Sequence, residues 1–545
     1  VAFSEIFYLR PNVISVTDSA GAPVDPYALR NYVLTGATGN TRSTDDIKRT
    51  LYTNARRDFG GLVPCSVQTG LDFRQAERDQ RFSTPSYTYV GRDGVASTTL
   101  TATSDDLALP FLDPSFSDRQ PHYGFPKFQG VSSELFYNHF IANPTQFTTN
   151  ANTTYRNEVT NSKFADELVS AAYLRGDLQL FAHRLKLVAG VRVEQTNIHA
   201  EGPLTDPNRN LLRDVSGKLV LGTNGKTQPI VPATDALGVS RLTFLDRAAT
   251  ADKEYLRWFP SLNANWNIRE NLIARVAWYT SIGRPDFAQY SGGVTLPDPE
   301  NPSPNDQITV SNVAIKPWSA RTINARIEYY LEGVGQLAIG GFRRHFRNFF
   351  GSTTIPATAE FLDLYSLDPN VYGRYPIVTQ YNLSEGVRME GVNLGYKQAL
   401  TFLPRWARGV QVFANASAQR LLGPQGSSNF PGFIPRTYSW GASLSRERFS
   451  LRANWNYRSL QRRAAIASGA SIEPGTYTWW SKRLYLDLNG EWVLSRRFSL
   501  FASLRNVGDA PDDIKVYGPS TPAVARFRTR VEYGSLWSFG LKGTF

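Results

Sequence analysis

Ser535-Leu-Trp-Ser-Phe-Gly-Leu-Lys-Gly-Thr-Phe545 closes the chain in strict alternation. Read at period two, Ser535, Trp537, Phe539, Leu541, Gly543 and Phe545 point one way, and Leu536, Ser538, Gly540, Lys542 and Thr544 the other. Strand side chains alternate sides, so this segment has one oily face and one mostly small or polar face. A soluble sandwich would bury the oily face. A membrane strand turns it to lipid and can end on an aromatic at the interface. Repetition of the pattern decides between them.

The pattern recurs along most of the chain. Leu185, Leu187, Ala189, Val191 and Val193 alternate with Lys186, Val188, Gly190, Arg192 and Glu194. Leu262, Ala264, Trp266 and Ile268 alternate with three asparagines, and Leu272, Ala274, Val276 and Trp278 follow. Phe449 to Tyr457 and Leu484 to Trp492 repeat the arrangement. Soluble strands run to about five or six residues. Many of these reach roughly nine or more, the length that crosses a bilayer at a tilt. The second face repeatedly carries Arg, Asn, Asp and Glu, as a polar lumen requires. The expected fold class is all-β, a transmembrane antiparallel β-barrel.

Composition agrees. The mean hydropathy of −0.33 does not argue against a barrel, whose membrane signal lies in alternation. No run of about 18 apolar residues exists, so no transmembrane helix is expected. Cys65 is the single cysteine, which excludes an intrachain disulfide. The net charge of +12 suits anionic partners, either lipid head groups or an anionic solute. The charges are scattered and no binding motif accompanies them, so no nucleic-acid partner is expected.

Links between strands come in two sizes. Ala182-His183-Arg184, Arg269-Glu270, Gly333-Val334-Gly335, Glu447-Arg448 and Ser495-Arg496-Arg497 are short. The stretches 92–162, 200–253, 283–318, 351–373, 423–434, 460–475 and 508–526 are long and rich in Pro, Gly, Asp, Asn and Ser. Outer-membrane barrels have short periplasmic turns and long extracellular loops, which places the long set outside. Within 92–162, Leu135 to Ile141 is apolar and is expected to form a short helix or to dip into the barrel. About sixteen strands are expected, five before residue 200 and eleven from 254 onward. Sixteen would suit a passive porin-like channel. Val1 to Arg10 shows no secretory leader, and the chain enters a strand almost at once; a truncated larger barrel accounts for both.

Certain residues narrow the reading. Gly190-Val-Arg-Val-Glu194, Trp258-Phe-Pro-Ser-Leu-Asn263, Ser281-Ile-Gly-Arg-Pro-Asp-Phe287 and Asn312-Val-Ala-Ile-Lys-Pro-Trp318 occur in that order. Arg326-Ile-Glu-Tyr-Tyr330, Gly386-Val-Arg-Met-Glu-Gly391, Arg505-Asn-Val-Gly-Asp509 and Gly540-Leu-Lys-Gly-Thr-Phe545 follow. The ordered series, over about 164–545, resembles the C-terminal barrel of TonB-dependent outer-membrane receptors. The first 160 residues match more loosely, through Val67-Gln-Thr-Gly-Leu71 and the Arg74 to Asp79 segment. The resemblance implies a 22-stranded barrel with an N-terminal plug, and a segment before the plug that engages the TonB energy-coupling complex. Residues 1–545 are then expected to be a partial barrel, with no plug domain present and about six strands absent.

What the resemblance implies functionally is TonB-energised uptake, across the bacterial outer membrane, of a scarce solute too large for porins. A ferric siderophore and an oligosaccharide are both open as cargo, and lipid and lipopolysaccharide are the surroundings. The alternatives are the passive sixteen-stranded channel and a surface-binding barrel. Enzyme chemistry is not expected. The histidines His122, His139, His183, His199 and His345 lack metal-ligand spacing, and there is no phosphate-cradling loop or nucleophile elbow. No cofactor or metal is expected, although the acidic stretch 298–306 has oxygens that could hold calcium. The candidate substrate contacts are Arg284, Tyr290, Trp318, Tyr365, Tyr372, Arg374, Tyr375 and Arg462, with Tyr123, Phe125, Phe430 and Arg463 beside them. Rings stack on sugars, and guanidinium forks grip carboxylates, phosphates or anionic chelates. Each also has a structural reading: Arg284 as an ion-pair partner of Asp286, Glu328 as a wall partner of Arg326, and Trp318, Trp479 and Trp480 as interfacial girdle.

Overall fold

Alternation becomes strand wherever it was read. The computed structural model describes residues 1–6, 11–101, 103–120, 126–297, 306–310, 316–363, 365, 367–382, 386–404, 409–423, 433–466 and 472–544. Among them, fifteen strands build the wall. They are β1 Thr41–Phe59, β2 Cys65–Ser83, β3 Lys163–Leu180, β4 Leu185–Thr205, β5 Phe244–Arg269, β6 Leu272–Gly283, β7 Trp318–Leu331 and β8 Gly335–Arg347. β9 Val387–Ala399, β10 Val410–Leu422, β11 Arg436–Ser445, β12 Phe449–Arg458, β13 Arg483–Val493, β14 Phe498–Arg505 and β15 Leu536–Gly543 complete it. Each pairs antiparallel with the next. The order is that of a barrel in which β15 comes round to β1, although no residue-by-residue register joins those two among the described residues. β1 is exposed along its whole length.

The expected count was about sixteen, and the difference lies before residue 200, where four wall strands stand instead of five. The opening segment instead folds on itself as a small sheet of Ala2–Ile6, Pro11–Thr17 and Pro23–Val24. These runs are too short to cross a bilayer.

Turns and loops segregate as expected. Residues 60–64, 181–184, 270–271, 332–334, 400–409, 446–448 and 494–497 link strands at one end; 84–162, 206–243, 284–317, 348–386, 423–435, 459–482 and 506–535 link them at the other. In the turn at 332–334, Gly333 sits at φ +86°, a conformation other residues rarely adopt. Two strands overrun the expected loop at 200–253: β4 continues to Thr205 and β5 begins at Phe244. On β5 the exposed apolar row runs only from Leu256 through Trp258 and Leu262 to Trp266, about one bilayer crossing. The twelve positions before Leu256 therefore rise above the apolar band on the long-loop side. No helix among the described residues is long and apolar enough to cross a membrane.

The long loops are themselves structured. Val294–Thr295 adds parallel to the outer end of β4, then pairs with Ile308–Val310, which joins Ile377–Asn382 and Phe350–Ile355. Val294, Leu296, Ile308, Leu362, Tyr372 and Ile377 form a buried core under this sheet. A second outer sheet is made of Gln461–Ala465, Tyr477–Trp480, Asp512–Tyr517 and Phe527–Val531. In the loop 84–162, Leu135 to Ile141 does form a helix, Ser133–Ala142, capped by the Ser132 hydroxyl. Its Phe136 and Phe140 pack on Tyr89, Phe111 and Phe147. Leu362, wholly buried in the first loop core, sets a local test. Leu362→Ala should loosen that loop sheet by about 2–5 kcal/mol, seen as faster proteolysis within 284–386 while cleavage elsewhere stays unchanged.

Candidate functional site: the lumen wall at the outer mouth

Period-two geometry aims residues 192, 194, 196 and 198 of β4 into the lumen beside residues 253, 255 and 257 of β5. Charges of both signs interlock there. Asp72 on β2 pairs with Arg74 at 2.6 Å and with Arg192 at 2.9 Å. Arg192 also holds Glu194 at 2.6 Å. Glu194 takes the Arg284 guanidinium at 2.5 Å, and Glu167 on β3 lies 3.8 Å from the same group. The result is an alternating row, Arg74–Asp72–Arg192–Glu194–Arg284–Glu167, tying four elements together. Its carboxylates are nearly buried, which makes the pairing obligatory, since an unpaired charge there is costly. A second such pairing is Glu328 with Arg326 at 3.0 Å and Arg275 at 3.3 Å.

Beside this neutralised row stands an unneutralised one. Lys253 and Arg257 occupy successive inward positions around Tyr255, and Lys316 enters from the segment before β7. Burial, and then the nearby Lys316 and Arg257, disfavour the Lys253 ammonium. The Arg257 guanidinium sits 5.7 Å from the centre of the Tyr255 ring. No carboxylate among the described residues forms an ion pair with any of the three. Uncompensated like charge at a lumen mouth attracts anions.

The residues singled out from sequence divide sharply. Arg284 reaches the lumen wall, but its partner is Glu194, not Asp286. Asp286 instead caps the short helix Phe287–Tyr290, forming a capping box with Gln289. Tyr290 is buried against Tyr255, Ile198 and Ala165, and burial pushes its phenol far above the ordinary range. Tyr372 and Tyr375 are core residues of the first loop sheet. Burial, then the neighbouring Asp206, raises the Tyr372 phenol, which donates to Asp206 at 3.4 Å. Tyr365 packs 5.4 Å from Phe361. Arg374 donates to the Tyr375 hydroxyl at 2.9 Å. Arg462 lies over Tyr477 at 4.6 Å in the second outer sheet, where Trp479 meets Tyr517 and Arg463 covers Trp480.

Trp318 is not a girdle residue. It shares the inward face of β7 with buried Ala320 and Thr322, and packs 5.5 Å from Phe346. Gly283 makes this possible, because a Cβ there would fall 1.9 Å from the indole ring. Gly283→Val should expel Trp318 and cost about 1–3 kcal/mol, measurable as a quenched or red-shifted indole signal with a lowered Tm. Tyr123, Phe125, Phe430 and residues 298–305 of the acidic stretch lie outside the described residues. Among the described residues no group of three or more His, Cys, Asp or Glu could hold a metal ion.

Sequence reading missed Lys253, Arg257 and Lys316. Lys253 fell inside the stretch taken as loop, although Lys253, Tyr255 and Arg257 already alternate with Glu254, Leu256 and Trp258. The signal was present, but the polarity of 200–253 masked it.

A barrel wall with an apolar outer band, an ion-paired lumen and folded loops at one end is the architecture of an outer-membrane receptor barrel. The family described as TonB dependent receptor-like, beta-barrel matches residues 7–507, and the chain belongs to that family. No curated protein matches it. Among solved structures it is similar to the ferric-catecholate import receptor Fiu from E. coli K12, with 13% identity, a TM-score of 0.49 and coverage of 92% of this chain and 55% of that one. The siderophore receptor PiuA from Acinetobacter baumannii gives 12% identity and a TM-score of 0.48, covering 92% and 56%. The copper transporter OprC gives 12% and 0.48, covering 92% and 58%. The chain thus spans little more than half the length of these structures.

Proposed function

We propose that this barrel belongs to an outer-membrane receptor that imports an anionic solute, with a ferric chelate favoured over a neutral oligosaccharide. The observation carrying this is the placement of Lys253 and Arg257 on successive inward positions of β5, with Lys316 close to Lys253 and no ion pair to any of the three among the described residues. A neutral glycan draws no charge attraction from cations grouped at the mouth, whereas a multiply charged chelate does. The loop tyrosines support the same preference. Tyr290, Tyr372 and Tyr375 are buried in the protein and are not free platforms for sugar stacking.

Family membership supports energised import over passive flow, and the wall is read as belonging to a plugged transporter of ~22 strands rather than to a sixteen-stranded porin. TonB coupling through an upstream plug region belongs to the same proposal. The test is the intact mass and conductance of the native protein from outer membranes. Additional strands and a plug, with a closed channel in planar bilayers, are expected. A sixteen-stranded protein with a stable open conductance would refute the reading.

A further inference from the structure

The loop 84–162 holds a pair of acids that solute import does not use. Asp105 and Asp106 follow the turn at Arg92-Asp93-Gly94, and Asp106 is wholly buried. Its backbone is fixed in place: the Asp106 carbonyl accepts the Leu34 N–H at 2.8 Å, and the Ala108 N–H donates to the Tyr32 carbonyl at 3.1 Å. Each carboxylate spends one oxygen on the turn. Asp105 Oδ2 accepts the backbone N–H of Arg92 at 2.6 Å and of Asp93 at 3.1 Å. Asp106 Oδ2 accepts the Ser97 N–H at 2.6 Å. The second oxygen of each acid, Oδ1, is buried with no hydrogen-bond partner.

These two oxygens crowd one place. A Cβ on Gly91 would fall 2.2 Å from Asp105 Oδ1 and 2.3 Å from Asp106 Oδ1, and Gly91 itself sits at φ +62°. Among the described residues neither acid forms an ion pair; Arg92 offers its backbone N–H rather than its guanidinium. The charge is felt nearby, since burial, and then Asp106 and Asp105, raise the Tyr89 phenol. Two buried anionic oxygens at close quarters are costly unless something positive stands between them. The donor set is all oxygen, which suits a hard divalent cation. Two carboxylates are few for a metal, but calcium fills its six to eight positions with carbonyl and water oxygens as well. The imidazole of His139 is engaged by Tyr89 and Gln146, so no softer donor joins the pair.

We propose that Asp105 and Asp106 hold a calcium ion through their Oδ1 atoms, and that the ion fastens the loop 84–162. Loop carbonyls and water complete its shell. The ion ties the turn at 91–97 to the segment bonded to Tyr32 and Leu34, beside the aromatic core of Tyr89, Phe111 and Phe147 on which the helix Ser133–Ala142 packs. This site lies within one loop, apart from the acidic stretch 298–306 and from the lumen cations, and does not depend on what the lumen transports.

The test uses the full-length protein in detergent, stripped with EGTA, with calcium chloride as probe and magnesium chloride at equal concentration beside it. Calorimetry reads binding, and mass spectrometry maps proteolytic cuts. Wild type should bind calcium with a Kd of about 10⁻⁴–10⁻³ M, the range of extracellular modules. Calcium should slow cleavage within 84–162 at least about tenfold, and magnesium should do far less. D106N removes one charge at constant shape and should weaken calcium binding about tenfold or more. In EGTA, however, its loop should be cut more slowly than that of wild type, because the repulsion has gone. A residue that merely packs would not reverse in this way. D105N should behave alike, and it keeps the test decisive if D106N does not fold. Equal cleavage of the wild-type loop in calcium and in EGTA, or equal protection by magnesium, would overturn the proposal. So would calcium binding by both variants that matches wild type, or faster cleavage of both in EGTA. Solute uptake is not read, so failure here is distinct from failure of the import reading.

Discussion

Arg284→Ala should be the most destabilising single change at the mouth, costing about 3 kcal/mol or more. The guanidinium is only 25% exposed, and its partners Glu194 and Glu167 are 12% and 18% exposed. Removing one member of a buried pair leaves the other charge uncompensated, which typically costs about 3–5 kcal/mol; partial exposure places this case at the lower end. Arg284 also accounts for the position of its own loop. It enters just after β6 and reaches across to β3 and β4, so its loss frees the segment that carries Tyr290. The denaturant midpoint of the folded barrel should fall, and adding Glu194→Gln to Arg284→Ala should recover part of the loss. Arg284→Lys keeps the charge without the fork and should fall in between. A double variant no better than the single would mean that Glu194 is not the charge left stranded.

The second large effect concerns solute. Lys253→Glu with Arg257→Glu replaces two of the three mouth cations by anions. In a water-accessible mouth each reversal costs on the order of 1 kcal/mol toward an anionic ligand. Together they predict about 2 kcal/mol, or ~30-fold weaker binding. Wild-type binding should also weaken as salt rises, because exposed charges are screened over about 10 Å at 0.1 M. The double variant should show a flatter salt dependence. A neutral ligand should be indifferent to both changes. Arg257 faces Glu194 across β4 and β5, so Arg257→Gln, which adds no carboxylate there, is the companion variant, and heat resistance matching wild type shows that binding alone moved.

The lesson of the sequence lies in what period two can and cannot carry. It located the wall, because Leu262 to Trp266 or Leu185 to Val193 can satisfy both lipid and lumen only as strands. It located the turn end and the loop end through length alone. It could not find the interior of the loops, because Val294, Ile308, Leu362 and Ile377 come from separate segments and acquire a common core only once the chain is folded. Tyr372 and Tyr375 were legible as aromatic loop residues, but their burial depended on those distant partners. Arg284 was legible as an ion-pair residue, yet Asp286 was the wrong acid: the nearest carboxylate in sequence caps a helix, while the true partner sits ninety positions earlier on β4. Trp318 went wrong for a related reason, since girdle and lumen aromatics differ only in strand parity near a loop. Arg343, Arg388 and Arg420 were legible singly, but not as a cluster, because Glu390 gathers them across three strands.

Uptake of radio-iron carried by a trianionic catecholate chelate is the most direct measurement of the central claim. It should be made beside a neutral ferric hydroxamate, in energised cells and in cells uncoupled with a protonophore. The full-length protein should take up the anionic chelate in energised cells only. It should prefer that chelate at least about tenfold over the neutral one, and the preference should disappear in the Lys253→Glu/Arg257→Glu variant. Equal uptake of both chelates, or uptake that persists after uncoupling, would contradict the account.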